Sequence, residues 1–200
     1  MAGVIVVGVL VSGSGTNLQA ILDAVGARTL DARVAVVVSN VADARALDRA
    51  RAAGVETVVV DHKAFADRSA FDAAVVAVLR ERGVELVVLA GFMRLLTPVL
   101  LDAFPMRIVN VHPALLPAFP GIQGQRQALE YGVRLAGCTV HFVDRGVDSG
   151  KIIAQSTVPV QASDDLPTLA QRIHVAEHAL FVSVLGDIAA GRITPLATEA

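Results

Sequence analysis

Asn110 and His112 stand two residues apart in Ile108-Val109-Asn110-Val111-His112, a short β-branched run that reads as a strand end. Strand side chains alternate between faces, so the two point the same way if extended geometry reaches His112. A carboxamide donor and an imidazole then stand side by side, one able to hydrogen-bond a reacting group and the other to hold a proton near it. Pro113 cannot donate to a sheet ladder, and the residue before a proline is pushed toward extended backbone. The strand is therefore expected to stop at His112, at a sheet edge. Pro113, Pro117 and Pro120 stiffen the loop beyond it. A polar pair at the carboxyl end of a strand, backed by a rigid loop, is where open α/β sheets place their chemistry.

Three other stretches carry side chains of chemical interest. Ser12-Gly13-Ser14-Gly15-Thr16-Asn17 lies between an apolar run and a segment with helical spacing. Backbone amides at such a helix start suit an anion, and the glycines let the backbone approach it. The spacing lacks the full dinucleotide fingerprint and no Walker lysine follows, which favours a monophosphate. A tight strand–helix turn that binds nothing is the competing reading. Ala90-Gly91-Phe92-Met93-Arg94-Leu95-Leu96 is an apolar loop with one arginine, fit to line a pocket for a flat ring or simply to be buried. Asp144-Arg145-Gly146-Val147-Asp148-Ser149-Gly150 is a turn, and local sequence alone reads Asp148 as capping its own backbone. No nucleophile is evident, because Cys138 falls within an expected strand and Ser12 and Ser14 within the glycine-rich turn.

The elements that must position these residues alternate. Val4 to Val11, Val34 to Val38, Thr57 to Val60 and Leu86 to Leu89 read as strands, the first a continuous apolar run of the kind covered on both faces. Helices are expected from the glycine-rich turn onward, over Ala42 to Ala53, from Asp67 or Arg68 to Gly83, over Pro98 to Phe104 and over Gln125 to Tyr131. Such alternation argues a mostly parallel sheet with helices on both faces. Cys138 to Val143 and Lys151 to Pro159 are close in sequence with a polar connection, which predicts an antiparallel pair. Leu166, Leu169, Ile173, Ala176, Leu180, Val184 and Ile188 mark one long amphipathic helix, closed by Gly191 and followed by a loosely held tail from Arg192 to Ala200.

The chain has 200 residues, 54% of them apolar, which suits one domain of two joined halves. A net charge of -2 gives no reason to expect nucleic acid or a membrane surface as partner. No apolar run approaches the ~18 residues of a membrane span, and the first apolar run lacks the flanks of a signal peptide. A lone cysteine excludes an internal disulfide and a multi-cysteine zinc site. A cytoplasmic protein with small-molecule substrates, monomeric or homodimeric, is the expectation.

The segment His112-Pro113-Ala114-Leu115-Leu116-Pro117-Ala118-Phe119-Pro120-Gly121, preceded by Asn110-Val111, resembles the signature of the folate-dependent formyltransferases. The likeness runs from about Val4 to Gly191. It implies the formyltransferase fold: about seven strands, a Rossmann-like first half over residues 1–104 that binds phosphate, and a catalytic and folate-binding half over residues 105–200. It also implies transfer of a formyl group from 10-formyltetrahydrofolate, with no metal, to the amine of a phosphoribosylated glycinamide in purine synthesis. In the family, residues matching Gly15, Thr16 and Asn17 hold the substrate phosphate, with Pro113 and Glu177 also at that substrate. Glu177 alone would pass for a surface residue. Residues matching Arg68, Met93, Arg94, Leu95, Leu96, Asn110, Val143 and Asp144 bind the folate. Arg68 by itself reads as an exposed first-turn residue. The equivalent of Asp148 reaches that of His112 and favours its protonated form, His112 being the proton donor and Asn110 its catalytic companion. His141 supports this group or is a satisfied core histidine. Two departures stand out: Gln123 where the family often has a titratable residue, and Lys151 where a proline is expected. Related folate-formyl enzymes act on methionyl-tRNA or hydrolyse formyl-folate. The first is expected to extend beyond the counterpart of Gly191, and the second to carry a domain before that of Val4.

Overall fold

Residues 4–193 are described in a computed structural model of the chain. The strands are β1 (Ile5–Val11), β2 (Ala32–Ser39), β3 (Thr57–Val59), β4 (Leu86–Leu89), β5 (Ile108–His112), β6 (Leu135–Phe142) and β7 (Ile152–Pro159). They form one seven-stranded sheet in the order β3-β2-β1-β4-β5-β6-β7. β1 to β5 run parallel, and β6 and β7 continue the sheet antiparallel. The helices are α1 (Thr16–Gly26), α2 (Arg45–Ala52), α3 (Arg68–Glu81), α4 (Pro98–Ala103), α5 (Gly124–Tyr131) and α6 (Leu166–Ala189).

Alternation along the parallel strands divides the core into two. Val7, Val9 and Val11 of β1 face one side, with Leu18 and Ile21 of α1, Leu47 of α2 and Ile173 and Phe181 of α6. Leu10 faces the other, with Phe71, Val75 and Leu79 of α3 and Leu100 of α4. Both faces of β1 are thus covered, as its uninterrupted apolar run requires. Burial of a side chain such as Phe71, 1% exposed, is worth about 3–5 kcal/mol against truncation to alanine. The long helix is present, but its buried face also holds Glu177, the residue that local pattern placed at the surface.

Two boundaries differ from expectation by three residues. α2 begins at Arg45 rather than Ala42, because the Ala46 N–H donates to the Gly13 carbonyl at 3.0 Å and fixes where the helix starts. Tertiary contact overrides a run of good helix formers there. β6 starts three residues before Cys138, because its pairing with β7 runs from Leu135 opposite Pro159. The tail from residue 194 onward lies outside the described residues.

The chain proceeds from β1 outward to β2 and β3, then returns to the other side of β1 with β4. That reversal makes the carboxyl ends of β1 and β4 the place where connections part and a crevice opens.

Candidate active site

A cavity of about 310 Å³ occupies this crevice. It is lined by the turn from Ser12 to Asn17, by Ala90, Gly91 and Met93 after β4, by Val111 and Pro113 at the end of β5, and by Gln125, His174 and Glu177 from α5 and α6. Both halves of the chain therefore contribute. Gly15 sits immediately before α1 with φ of 73°, and a Cβ there would lie 2.6 Å from that of Ala46. Only glycine allows this left-handed approach of the turn to α2. No side chain caps the first turn of α1, which leaves its amides and its dipole toward the cavity.

Glu177 enters the same cavity from α6 and is 3% exposed. The Asn17 side-chain amide donates to it at 3.3 Å. Burial pushes the Glu177 carboxyl up to about 7, and the bond from Asn17 only partly offsets this. The Asn17 Oδ1 is buried without a partner. An orphaned acceptor and a desolvated carboxyl on a cavity wall both suit a ligand that brings hydroxyl donors. His174, one turn before Glu177, lies 3.4 Å from Gln125 across the cavity wall. Among the described residues, it is the only lining side chain able to become cationic. Partial burial lowers its proton affinity below the ordinary value.

The polar cluster forms one step along β5. Asn110 and His112 lie on the same face of the strand, and Asp148 reaches both that face and His141 on the adjoining strand. The Asp148 carboxylate is 3.3 Å from His112 Nδ1 and 3.6 Å from His141 Nε2. His141 Nε2 is 3.2 Å from the Asn110 amide nitrogen, while its Nδ1 faces the Phe142 carbonyl at 2.8 Å. The Gly121 N–H donates to Asp148 at 2.7 Å. Burial opposes ionisation of Asp148. The close His141 ring, the bond from Gly121 and the His112 imidazole outweigh it and hold the carboxyl below its ordinary value. Asp148 itself adopts φ of 51°, a conformation that an aspartate tolerates better than most side chains. Gly150 closes the turn so tightly that a Cβ would strike the Phe142 carbonyl oxygen.

His112 is 3% exposed and held at both ring nitrogens. Nδ1 faces Asp148, and Nε2 lies 2.8 Å from the Phe119 carbonyl. Two acceptors on one ring match the imidazolium, which donates from both nitrogens; the neutral ring satisfies only one. The loop from Pro113 to Gln123 thus folds back over the histidine. Its near end is pinned from β6 by Thr139, opposite His112 in the ladder. The Thr139 hydroxyl donates to Ala114 O at 2.7 Å and accepts from the Leu116 N–H at 3.0 Å.

Beyond β4, the loop from Met93 to Leu96 presents apolar side chains outward. Met93 is 72% exposed and Leu95 57%. Arg94 lies over the Phe71 ring, 5.1 Å from its centroid. The loop is anchored at its far end by a bond from the Thr97 N–H to the buried Asp72 carboxylate at 2.6 Å. Val143, half-buried, and Asp144, exposed, begin the turn that carries Asp148. Asp144 accepts from the Gly146 N–H at 3.0 Å and the Ser149 hydroxyl at 2.8 Å. Arg68 is exposed in the first turn of α3.

The structure therefore gathers Asn110, His112, His141 and Asp148, and separately gathers the Gly15–Asn17 turn with Pro113 and Glu177. Lys151 is exposed just before β7, and Gln123 takes a left-handed conformation before α5. His174, Gln125, Thr139 and Asp72 were not singled out by sequence. A signal existed for His174 alone: it stands three residues before Glu177 and so shares its helix face. Thr139 and Asp72 become visible only once strand register and helix docking are known. Cys138 is fully buried, and burial followed by the charge of Glu177 pushes its thiol up to about 12, so it supplies no thiolate. Among the described residues, no group of three or more metal-ligating side chains could hold a metal ion, and no helix is long and apolar enough to cross a membrane.

A chain that combines this switch-point sheet, this glycine-rich turn and this Asn–His–Asp cluster matches the formyl transferase family model over residues 5–185, and the chain belongs to that family. It is 42% identical over 180 residues to the phosphoribosylglycinamide formyltransferase of Bacillus subtilis (strain 168), covering 90% of this chain and 92% of that one. The crystal structure of glycinamide ribonucleotide transformylase 1 from Symbiobacterium toebii superposes with a TM-score of 0.94 at 52% identity, covering 97% of this chain and 91% of that one. A trifunctional purine biosynthetic protein adenosine-3 of Drosophila pseudoobscura pseudoobscura is 46% identical over 189 residues, 94% of this chain. The chain spans only 14% of the length of that protein.

Proposed function

We propose that this chain transfers the formyl group of 10-formyltetrahydrofolate to the amine of 5-phosphoribosylglycinamide, giving formylglycinamide ribonucleotide and tetrahydrofolate in de novo purine synthesis. The observation that carries the reading is the meeting of Asn110, His112 and Asp148 at the end of β5, beside a cavity built around an anion-binding turn.

The phosphate rests on the amides of Gly15, Thr16 and Asn17, with His174 facing it. The ribose hydroxyls donate to Glu177 and to the unpartnered Asn17 Oδ1, and Pro113 closes the wall between this subsite and the cluster. The folate lies against Met93, Arg94, Leu95 and Leu96, with Arg68, Val143 and Asp144 at its margins. The exposed apolar side chains of that loop support this placement. The residues before 105 then hold phosphate and part of the folate, and those after 104 bring the catalytic groups.

The amine nitrogen attacks the formyl carbon, a C–N bond forms, and the carbonyl oxygen becomes an oxyanion. Asn110 donates to that oxyanion from its amide, and His112 donates from Nε2 after the Phe119 carbonyl releases it. Each donor aimed at developing charge is worth about 10²–10³ in rate. The attacking nitrogen then loses a proton and the folate N10 gains one as its bond to carbon breaks. His112 and Asp148, directly or through water, carry those protons, a contribution of about 10²–10⁴. Asp148 faces Nδ1 of His112 and orients the ring so that Nε2 is the donor. His141 holds the other oxygen of Asp148 and keeps the carboxylate aimed. No step requires a metal or an enzyme-bound acyl group. The chain acts on small molecules in the cytoplasm, as a monomer or homodimer.

The test is a spectroscopic assay of folate deformylation with and without glycinamide ribonucleotide. Dependence on the ribonucleotide supports transfer, and release of formate without it favours a hydrolase instead.

A further inference from the structure

Ser12 is the first residue after β1 and stands at the switch point, between the phosphate turn and the loop after β4. Its N–H donates to the Gly91 carbonyl at 3.1 Å. Its hydroxyl donates to Asn40 Oδ1 at 2.6 Å and accepts from the Met93 N–H at 2.9 Å. The single hydroxyl proton is committed to Asn40, so the lone pair offered to Met93 has a fixed direction. Asn40, 6% exposed just after β2, is itself held, with its side-chain amide nitrogen 3.4 Å and its backbone carbonyl 3.2 Å from His62 Nδ1. One side chain therefore ties the ends of β1, β2 and β4 together. The next residue, Gly13, opens the phosphate turn, and Met93 opens the exposed apolar loop. The one proton of this serine is already given to Asn40, and the formyl transfer asks nothing of it.

We propose that Ser12 is a positioning residue that couples the two substrate subsites: a ligand on the phosphate turn restrains the backbone at Ser12 and Gly13, the Ser12 hydroxyl carries that restraint to the Met93 amide, and the folate loop is thereby ordered. The inference rests on reading the two loops as phosphate and folate subsites. Ordering one segment in advance lowers the cost of binding at the other, and the effect is reciprocal. Removing the hydroxyl leaves the Met93 N–H and the buried Asn40 Oδ1 without partners, so the loss falls on the link between the loops.

The experiment uses unreactive probes, tetrahydrofolate and inorganic phosphate, titrated by calorimetry against wild type, Ser12→Ala and Ser12→Thr. Saturating phosphate is expected to tighten tetrahydrofolate about 5-fold or more in wild type, the lower end of typical coupling. In Ser12→Ala the tightening is expected to fall below about 2-fold, with KM for the folate rising more than kcat falls; Ser12→Thr restores it. Hydrogen exchange at the Met93 amide in wild type gives a second reading that requires no variant to fold, and phosphate is expected to slow it. Wild type without coupling, undiminished coupling in Ser12→Ala, or Met93 exchange indifferent to phosphate each overturns the inference. If wild type also fails to deformylate 10-formyltetrahydrofolate with glycinamide ribonucleotide present, it is the functional reading that falls.

Discussion

Glu177→Gln replaces a buried carboxyl by a neutral isostere and is expected to stabilise the protein in a pH-dependent way. The carboxyl shifts from 4.5 in the unfolded chain to about 7 when buried. With the folded value raised, the folded state binds the extra proton between these limits, so wild-type stability falls as pH rises through them. The cost is complete above about pH 8, where a span of about 2.5 at about 1.36 kcal/mol each amounts to about 3 kcal/mol. At pH 5 the same linkage leaves less than about 1 kcal/mol. For a chain of this length, a gain of about 3 kcal/mol raises the melting midpoint by roughly 6–12 °C. Thermal melts of both proteins at pH 5 and pH 8 provide the measurement. The midpoint of Glu177→Gln is expected to exceed that of wild type strongly at pH 8 and little at pH 5. The same substitution is expected to raise KM for the ribonucleotide about 10-fold or more, because ribose hydroxyls lose a charged acceptor. A midpoint difference that is equal at the two pH values would refute the burial argument, whatever happens to KM.

Asp148→Asn is expected to lower turnover at neutral pH by at least ~10²-fold; turnover within a few-fold of wild type removes the role given to that carboxylate. Gly15→Ala forces a Cβ to within 2.6 Å of that of Ala46 at a left-handed backbone position. It is expected to raise KM for the ribonucleotide about 10-fold or more while kcat changes less, and an unchanged KM would place the phosphate elsewhere. His174→Leu removes the one lining group, among the described residues, able to turn cationic, and inorganic phosphate is expected to inhibit it several-fold less strongly than wild type; equal inhibition argues against that contact. Thr139→Val keeps shape but strips the hydroxyl from Ala114 and Leu116. It is expected to cost about 1–3 kcal/mol in chemical denaturation and to slow turnover, and a stability equal to wild type would show the pin to be dispensable.

The sheet and the cluster were legible in the sequence for different reasons. Continuous apolar runs announced β1 and its parallel neighbours, and proline at position 113 announced where β5 must end. Asn110 and His112 followed from strand alternation alone. Asp148 did not: its turn is consistent with self-capping, and only the approach of that turn to β5 and β6 makes it a partner of two imidazoles. Glu177 was hidden more deeply, because a charged residue in an amphipathic helix ordinarily faces water, and nothing local says that it faces a cavity. The late start of α2 was likewise decided by a bond to Gly13 from elsewhere in the fold. What local pattern withheld, in each case, was the company a residue keeps after docking, and for Asp148 and Glu177 it was the family resemblance that pointed to it.

The position of Glu177 on α6 has a consequence for assembly. The cavity's floor comes from the first strand–helix unit, but one wall comes from a helix near the other end of the domain, packed against α1 through the same core as β1. A folding intermediate holding only the parallel half would present the glycine-rich turn without its acid or His174. The proposed ribonucleotide subsite is therefore complete only once α6 has docked. A saturating ligand accordingly adds its linkage free energy to the opening of the entire domain rather than to one segment of it.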